Sequence, residues 1–361
     1  MLEYHEIRKQ SPEIARKLIK KVLHKNNGNI SKTASILDIC RKTVRRARDG
    51  TLEDISRRPH NSPHKTKKYL EDLIIKTAKQ TGYRYRRLAL YLWNSFGIPI
   101  SENTIKHVLR RNPVHKKRIR TINKRRRYLY DYKHLLPFAE MQLDTKHILD
   151  QNALPKDVYN HIQKKKLPKY EWNIIDVATR TRFTAYSHEL SALFGKMFIT
   201  LVLTWLRTHG INNHIHIQAD NGLEFCHGSK RKENELNLHL SVFNASFSSI
   251  PAGKHYRQAL VENSHRHDDE QFLAIHPIYC HNDQEFIFKA QSWQDTWNTA
   301  RPHFGIDMNG KTPLDKLTEK CILSPKNLLR FPVFLLEDLL PFSRLLGGTY
   351  VLTNYHKERI L

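Results

Sequence analysis

The sequence is poor in cysteine, has no long apolar run and carries few acidic residues in its first half. Four cysteines are spread over 361 residues without a Cys-x-x-Cys pair, so neither a disulfide framework nor a thiolate zinc site is expected. The most apolar stretch, residues 197–206, is about half as long as a membrane helix. Residues 1–10 lack the apolar core of a signal peptide. We therefore expect a protein of the reducing cytoplasm, neither secreted nor inserted in a membrane.

The composition favours a folded chain of several domains. The length corresponds to two or three domains at roughly 100–200 residues each. Hydrophobic residues make up 39% of the chain and aromatic residues 10%, whereas disordered chains are poor in both.

The charge is strongly positive and unevenly distributed. Lys and Arg total 61 against 35 Asp and Glu, which gives a net charge of +26. Residues 1–140 hold 35 of these basic residues and only 12 of the acidic ones. Phosphate backbones attract such one-sided charge through counterion release, so we expect a polyanionic partner; a basic region that serves only solubility is the alternative. The change near residue 140 also predicts a domain boundary.

Residues 1–52 have the pattern of a helix-turn-helix domain. An amphipathic helix is predicted over residues 12–25, followed by two short helices within residues 29–48. The second short helix places Val44 and Ala47 on its inner face. In a helix-turn-helix such a helix enters the DNA major groove, and an ordinary basic helical hairpin is the alternative. The predicted DNA-binding residues of this helix are its outward cations Arg41, Lys42, Arg45 and Arg46.

Residues 53–65 are predicted to be a basic linker. Pro59 and Pro63 interrupt regular structure there. Arg57 and Arg58 keep the segment positive, so we expect it to lie along a minor groove or a phosphate backbone.

Two more segments complete the basic region. Residues 66–112 show helical periodicity and predict a second helical DNA-binding domain. Residues 113–134 form a basic connector, in which we expect Arg125 and Arg126 to follow DNA. A solvated run of charge is the alternative for this connector.

After residue 140 the pattern changes from helical to strand-like. Asp144 lies within a predicted strand, Asp220 follows another strand at an Asp-Asn-Gly turn, and Glu262 lies on a later helix. Three carboxylates at one point suit Mg²⁺ or Mn²⁺ better than zinc, and two such ions about 4 Å apart promote attack at a phosphodiester. Ordinary surface carboxylates are the alternative, because three acids can be chosen from 35 in many ways.

Several motifs resemble the core of bacterial insertion-sequence transposases, which belong to the retroviral-integrase superfamily. In chain order the motifs are Leu143-Asp-Thr145, Ala219-Asp-Asn-Gly-Leu-Glu-Phe225, Gln258-Ala-Leu-Val-Glu-Asn-Ser-His-Arg266, Trp297-Asn-Thr-Ala-Arg-Pro-His-Phe-Gly305 and Gly310-Lys-Thr-Pro313. The linker at residues 52–63 is also similar to the one that follows the first helix-turn-helix in these transposases. The resemblance covers most of residues 20–315.

The resemblance implies a multidomain enzyme with a ribonuclease-H-like α/β core over residues 135–315. Asp144, Asp220 and Glu262 would form its acidic triad and hold two Mg²⁺ ions, with Mn²⁺ as a substitute. Such an enzyme cuts at transposon ends and joins the freed 3′ hydroxyl to target DNA. Its expected partner is double-stranded DNA, both terminal inverted repeats and target, on which it forms a homo-oligomer in the bacterial nucleoid.

The resemblance also implies DNA contacts beside the triad. In related integrases a Gln four residues before the triad Glu touches DNA, and Gln258 matches that position, one helical turn from Glu262. Lys254, Arg257 and Arg266 are expected to bind phosphate.

Two features depart from the family pattern or leave alternatives open. Between Asp220 and Glu262 stand 41 residues, more than is usual, and we place the surplus in the polar, helix-prone residues 230–236. If the core did not accommodate this insertion, Glu270 or Asp269 would replace Glu262. Residues 316–361 are expected to form a subdomain or tail, which packs either on a second protomer or on its own core.

Two rival functions remain at this stage. One is a DNA-binding regulator descended from a transposase, with a folded but inactive core. The other is a divalent-metal nuclease that cuts DNA without joining it.

Overall fold

The computed structural model describes residues 4–54, 65–114, 129–220, 222, 224–225, 229–251 and 253–343. Contacts divide the chain into two compact units, residues 1–65 and 66–361. Among the described helices, none is both long and apolar enough to cross a bilayer. The predicted DNA contacts of the linker and connector, Arg57, Arg58, Arg125 and Arg126, lie outside the described residues.

The first unit is a small helical domain with helices α1 (Tyr4–Gln10), α2 (Pro12–Lys25), α3 (Ile30–Ile36) and α4 (Arg41–Asp49). The side chains of Ser11 and Asn29 cap α2 and α3 by accepting from backbone N–H groups. Ile19, Val44 and Ala47 are buried in its core. The apolar spacing of α4 therefore predicts its inner face correctly, whereas in α2 the apolar Ile14 is 58% exposed.

The second unit begins with three helices, α5 (Lys68–Thr81), α6 (Tyr85–Phe96) and α7 (Glu102–Arg111). They enclose a separate apolar core and also pack against the residues that follow. Arg87 Nε donates to the carbonyl of Pro302 at 2.8 Å. Gly82 ends α5 in the left-handed conformation and lies against the backbone of Glu270. A Cβ at this position would lie 2.6 Å from the carbonyl oxygen of Glu270.

A five-stranded mixed sheet forms the centre of the second unit. Its strands are β1 (Glu140–His147), β2 (Tyr170–Asp176), β3 (Arg182–Ser187), β4 (Ile215–Ala219) and β5 (Ala245–Ser249). β1, β2 and β3 pair antiparallel, whereas β4 pairs parallel with β1 and β5 parallel with β4. The spatial order is β3-β2-β1-β4-β5, which is the ribonuclease-H-like arrangement and confirms the predicted fold class.

Helices cover both faces of this sheet. They are α8 (Lys156–Lys165), α9 (Ala192–Thr208), α10 (Lys230–Ser241), α11 (Ala259–Asp268) and α12 (Asp283–Thr299). The core that contains Leu143 of β1 includes apolar residues of α9, and the core that contains Ile175 of β2 includes Val261 of α11. Because side chains alternate along a strand, α9 and α11 lie on opposite faces.

The segment before β5 differs from the sequence prediction. We expected a strand over residues 240–247, but α10 continues to Ser241 and the strand is Ala245–Ser249. Leu236 and Leu240 recur at helical spacing and both pack on the sheet, so helical periodicity prevails over β-propensity there. The insertion at residues 230–236 is helical, as expected, and the core accommodates it.

The C-terminal segment packs on its own core. It contains α13 (Pro313–Glu319), α14 (Pro325–Leu328) and α15 (Leu340–Ser343). Phe331 and Leu336 are buried against the sheet, and the backbone N–H of Tyr186 donates to the carbonyl of Phe334 at 3.0 Å. Of the two arrangements left open above, the structure therefore shows docking on the same chain for the described part of residues 316–361.

Candidate active site

Parallel pairing sets the relative position of Asp144 and Asp220. β1 pairs with β4 through Glu140 with His216 and Gln142 with Gln218. Continued by two residues, the same register aligns Asp144, which lies within β1, with Asp220, which directly follows the last residue of β4. Neighbouring strands lie about 4.8 Å apart, so this register makes the two backbones neighbours at the carboxyl end of β4. In open α/β sheets ligands bind at the carboxyl ends of the strands.

Two buried glutamine side chains attach the start of α11 to β1. Gln142 accepts from the backbone N–H groups of Leu260 and Val261 at 3.1 and 3.3 Å, and its amide donates to the carbonyl of Arg257 at 2.5 Å. Gln258 donates to the carbonyl of Leu143 at 3.0 Å. These bonds hold the first turn of α11 against the strand that carries Asp144.

Glu262 lies in that first turn and is exposed. His265 is three residues further along α11, so it shares a helix face with Glu262. The Nε2 atom of His265 lies 3.3 Å from Oδ2 of Asp144. The helix that carries Glu262 therefore packs beside Asp144.

Backbone donors orient the two aspartates. Oδ1 of Asp144 accepts from the N–H of Thr145 at 3.0 Å, and Oδ1 of Asp220 accepts from the N–H of Gly222 at 2.9 Å. The side chain of Asp144 is 19% exposed. Glu224, from the turn after Asp220, accepts a hydrogen bond from the hydroxyl of Thr145, so it closes the turn over the end of β1.

The alternatives to Glu262 are placed differently. Asp269 is half-buried and paired with Lys146 at 3.0 Å, and burial raises the pKa of its carboxyl. Glu270 follows in a single π-helical turn, residues 269–273, whose backbone contacts Gly82. Asp269 is thus already paired, whereas Glu262 is exposed.

A second acidic group lies on the same sheet face, and sequence reasoning missed it. It consists of Glu171, His265 and Asp268, all buried, with one possible ligand atom from each within 4.8 Å of the others. Burial, followed by the nearby Asp268 carboxylate, raises the pKa of Glu171 well above its usual range. The signal was present in the sequence, because Glu171 is a carboxylate inside an apolar strand and His265 and Asp268 are one helical turn apart.

This buried group is organised around an ion pair. Arg182 and Asp268 are completely buried, and Nη1 of Arg182 lies 2.7 Å from Oδ1 of Asp268. The indole N–H of Trp293 donates to the same oxygen at 2.7 Å. The guanidinium also stacks 4.2 Å above the ring of Trp297.

The predicted DNA-binding residues of the first unit are on its surface. Arg41, Lys42, Arg45 and Arg46 are exposed along α4, while Val44 and Ala47 between them are buried. The four cations therefore form one exposed face of the helix.

Beside the triad, Lys254 and Arg266 are exposed and Arg257 is half-buried. Gln258 differs from the DNA contact that we predicted, because its side chain is only 3% exposed and its amide is bonded within the core. The physical reason is local: residues 255–258 form a 3₁₀ turn and α11 begins at Ala259, so Gln258 and Glu262 do not share an α-helical face.

Comparisons with known proteins found the following similarities. A family model for the helix-turn-helix of bacterial regulatory proteins of the Fis family matches residues 12–49, which confirms the helix-turn-helix predicted there. The catalytic core domain of BIV integrase is 19% identical, with a TM-score of 0.33 over 50% of this chain and 95% of that chain. The HTLV-2 integrase catalytic core domain in complex with magnesium is 18% identical, with a TM-score of 0.34 over 50% and 97%. No curated protein sequence matches the chain.

Proposed function

We propose that the protein is a DNA transposase. Its helical regions bind transposon ends, and its α/β core cuts DNA and joins the freed 3′ hydroxyl to target DNA, with Asp144, Asp220 and Glu262 as the catalytic carboxylates. The observation that supports this proposal is the parallel register of β1 and β4, which aligns Asp144 with Asp220 when it is continued by two residues.

The donor set fits divalent ions of the magnesium type. Asp144, Asp220 and Glu262 offer hard carboxylate oxygens at a partly exposed edge, and they would hold two Mg²⁺ ions, which Mn²⁺ would replace. When bound, the ions activate a water or hydroxyl and stabilise the leaving oxygen at a phosphodiester. The protein's own part is orientation, because Thr145 and Gly222 fix one oxygen of each aspartate.

Bound DNA is proposed to contact two surfaces. The exposed cations of α4 would enter a major groove of the terminal inverted repeat, and Lys254, Arg257 and Arg266 would bind phosphates beside the triad. We also propose that the protein forms a homo-oligomer on the paired transposon ends in the bacterial nucleoid. The arginines of the linker and the connector are proposed as further DNA contacts.

Incubation of the full chain with Mg²⁺ and labelled terminal-repeat DNA tests this function against its two rivals. A transposase yields joined product, a nuclease yields cut product alone, and a regulator binds without any product. Joined product that depends on Mg²⁺ supports the proposal. Efficient cutting without joining, or binding alone, contradicts it.

The role of α4 has its own test. We expect Arg45→Ala with Arg46→Ala to weaken binding to terminal-repeat DNA and to reduce the slope of log affinity against log salt by about 2, because two phosphate or base contacts are lost. Lys17→Ala with Lys21→Ala removes the same charge from the exposed side of α2 and serves as the matched control. Equal slopes of log affinity against log salt for the two double variants would show that α4 does not contact DNA.

A further inference from the structure

The imidazole of His265 lies between the two acidic groups of this sheet face. Its Nε2 atom is 3.3 Å from Oδ2 of Asp144, and its Nδ1 atom is 3.9 Å from Oε1 of Glu171. The side chain is 9% exposed. Each ring nitrogen faces a carboxylate oxygen, yet neither makes a well-aligned hydrogen bond among the described residues. A buried polar ring normally has its hydrogen bonds satisfied, so its position between two carboxylates requires an explanation.

The backbone around His265 is held in place by one contact before it and one after it in the chain. Asn173, opposite Asp144 in the sheet, donates to the hydroxyl of Ser264 at 2.8 Å. Lys146 binds Asp269 at 3.0 Å. Because the residues on either side of His265 are anchored to β2 and β1, the imidazole has a fixed position relative to Asp144.

A metal ion bound by Glu171, His265 and Asp268 is a poorer explanation. One oxygen of Asp268 already binds the guanidinium of Arg182 and the indole of Trp293. A divalent ion there would stand beside a fully buried cation. The raised pKa of Glu171 favours its neutral form, which is a poor metal ligand.

We propose that His265 is a positioning residue, whose Nε2–H attracts Oδ2 of Asp144 and holds this oxygen in the direction required for metal binding, while Nδ1 faces Glu171. This inference rests on the proposed function, because it assigns Asp144 to the metal site. Groups that orient a metal-binding side chain typically change metal affinity or activity by about 10–100-fold when removed. The Thr145 N–H fixes the other oxygen, so the carboxylate is held at both ends.

The test measures direct binding of Mn²⁺ to the full chain. Binding is monitored by calorimetry or by the electron paramagnetic resonance signal of free Mn²⁺. We expect His265→Ala to raise the Mn²⁺ dissociation constant about 10-fold or more. In a Gln side chain at position 265 the amide nitrogen takes the place of the imidazole Nε2. In an Asn side chain the amide nitrogen takes the place of Nδ1. His265→Gln should therefore stay within about 3-fold of wild type, while His265→Asn should resemble His265→Ala.

Two controls separate this role from a general loss of structure. His188 forms a similar pair with Asp283 at 2.9 Å, away from the triad, so His188→Asn should leave Mn²⁺ affinity unchanged. Thermal unfolding identifies any variant that has lost its fold. Equal Mn²⁺ affinity in folded His265→Ala and wild type, or equal effects of Asn and Gln, would overturn the inference.

The failure of the proposed function gives a different result. If Asp144→Asn binds Mn²⁺ as wild type does, or if wild type binds none, the triad itself is wrong and the role of His265 falls with it. If Asp144→Asn abolishes binding and the His265 variants behave as wild type, only the present inference is overturned.

Discussion

Two acidic groups share one face of the sheet and differ in their surroundings. Asp144, Asp220 and Glu262 are exposed or partly exposed, whereas Glu171 on β2 and Asp268 on α11 are completely buried. Arg182 pairs with Asp268, and burial raises the pKa of Glu171 well above its usual range; both reduce the cost of burying a carboxylate. The comparison teaches that a carboxylate open to solvent can stay charged and free to bind a cation, whereas a buried one needs a cationic partner or a proton.

The largest expected difference is in activity. We expect Asp144→Asn, Asp220→Asn and Glu262→Gln each to reduce strand transfer by about 1,000-fold or more, which corresponds to at least about 4 kcal/mol, while terminal-repeat binding is retained. The matched control is Glu235→Gln, because Glu235 is an exposed helical glutamate that pairs with Arg231 at 2.9 Å. A triad variant with full joining activity in the same assay would show that its residue is not catalytic.

The next effect concerns stability at the buried group. Asp268→Ala leaves Arg182 buried without its partner, so we expect the free energy of unfolding in urea to fall by about 3–5 kcal/mol. Asp72→Ala breaks the exposed pair with Lys68 and should cost about 0–1 kcal/mol. Similar losses for the two variants would mean that burial does not distinguish these ion pairs.

A smaller effect is expected where the sheet meets α11. Gln142→Leu removes the amide that holds the first turn of this helix, and a displacement of Glu262 by about 1 Å would reduce strand transfer by about 100-fold. Gln218, its partner on β4, is also buried, and its side-chain oxygen has no hydrogen bond among the described residues. Gln218→Leu should therefore retain most activity, and an equal loss in both variants would contradict the role assigned to Gln142.

The smallest effect is a dependence of stability on pH. The raised pKa of Glu171 means that the native state keeps a proton that the unfolded chain releases. The contribution of this group to stability therefore falls as pH rises above the ordinary Glu pKa of about 4.3. We expect Glu171→Gln to become more stable relative to wild type between about pH 5 and about pH 8 in urea unfolding. A difference that stayed constant with pH would show that Glu171 is ionised in the folded protein.

Much of the fold was predictable because its signals are local. The strand-like pattern around Asp144 and the Asp-Asn-Gly turn after β4 each lie within a few residues. Helix α4 likewise shows its inner face through Val44 and Ala47. At Leu240 the helical periodicity competes with β-propensity, and the residue lies in the helix that packs on the sheet.

The surroundings of the site were not predictable in the same way. Glu171, Arg182 and Asp268 are far apart along the chain, and only strand register and the path of α11 bring them together. The prediction for Gln258 assumed an unbroken helix up to Glu262, and the 3₁₀ turn before α11 removes that assumption. Side-chain roles that depend on long-range packing need the structure, even where the motif is clear.

Crystals of the protein soaked with Mn²⁺, with anomalous scattering used to locate the ions, test the central claim most directly. The account predicts anomalous peaks bounded by the carboxylates of Asp144, Asp220 and Glu262, and none at the buried group. A peak held by Glu171, His265 and Asp268, with no ion at the three exposed or partly exposed acids, would contradict it.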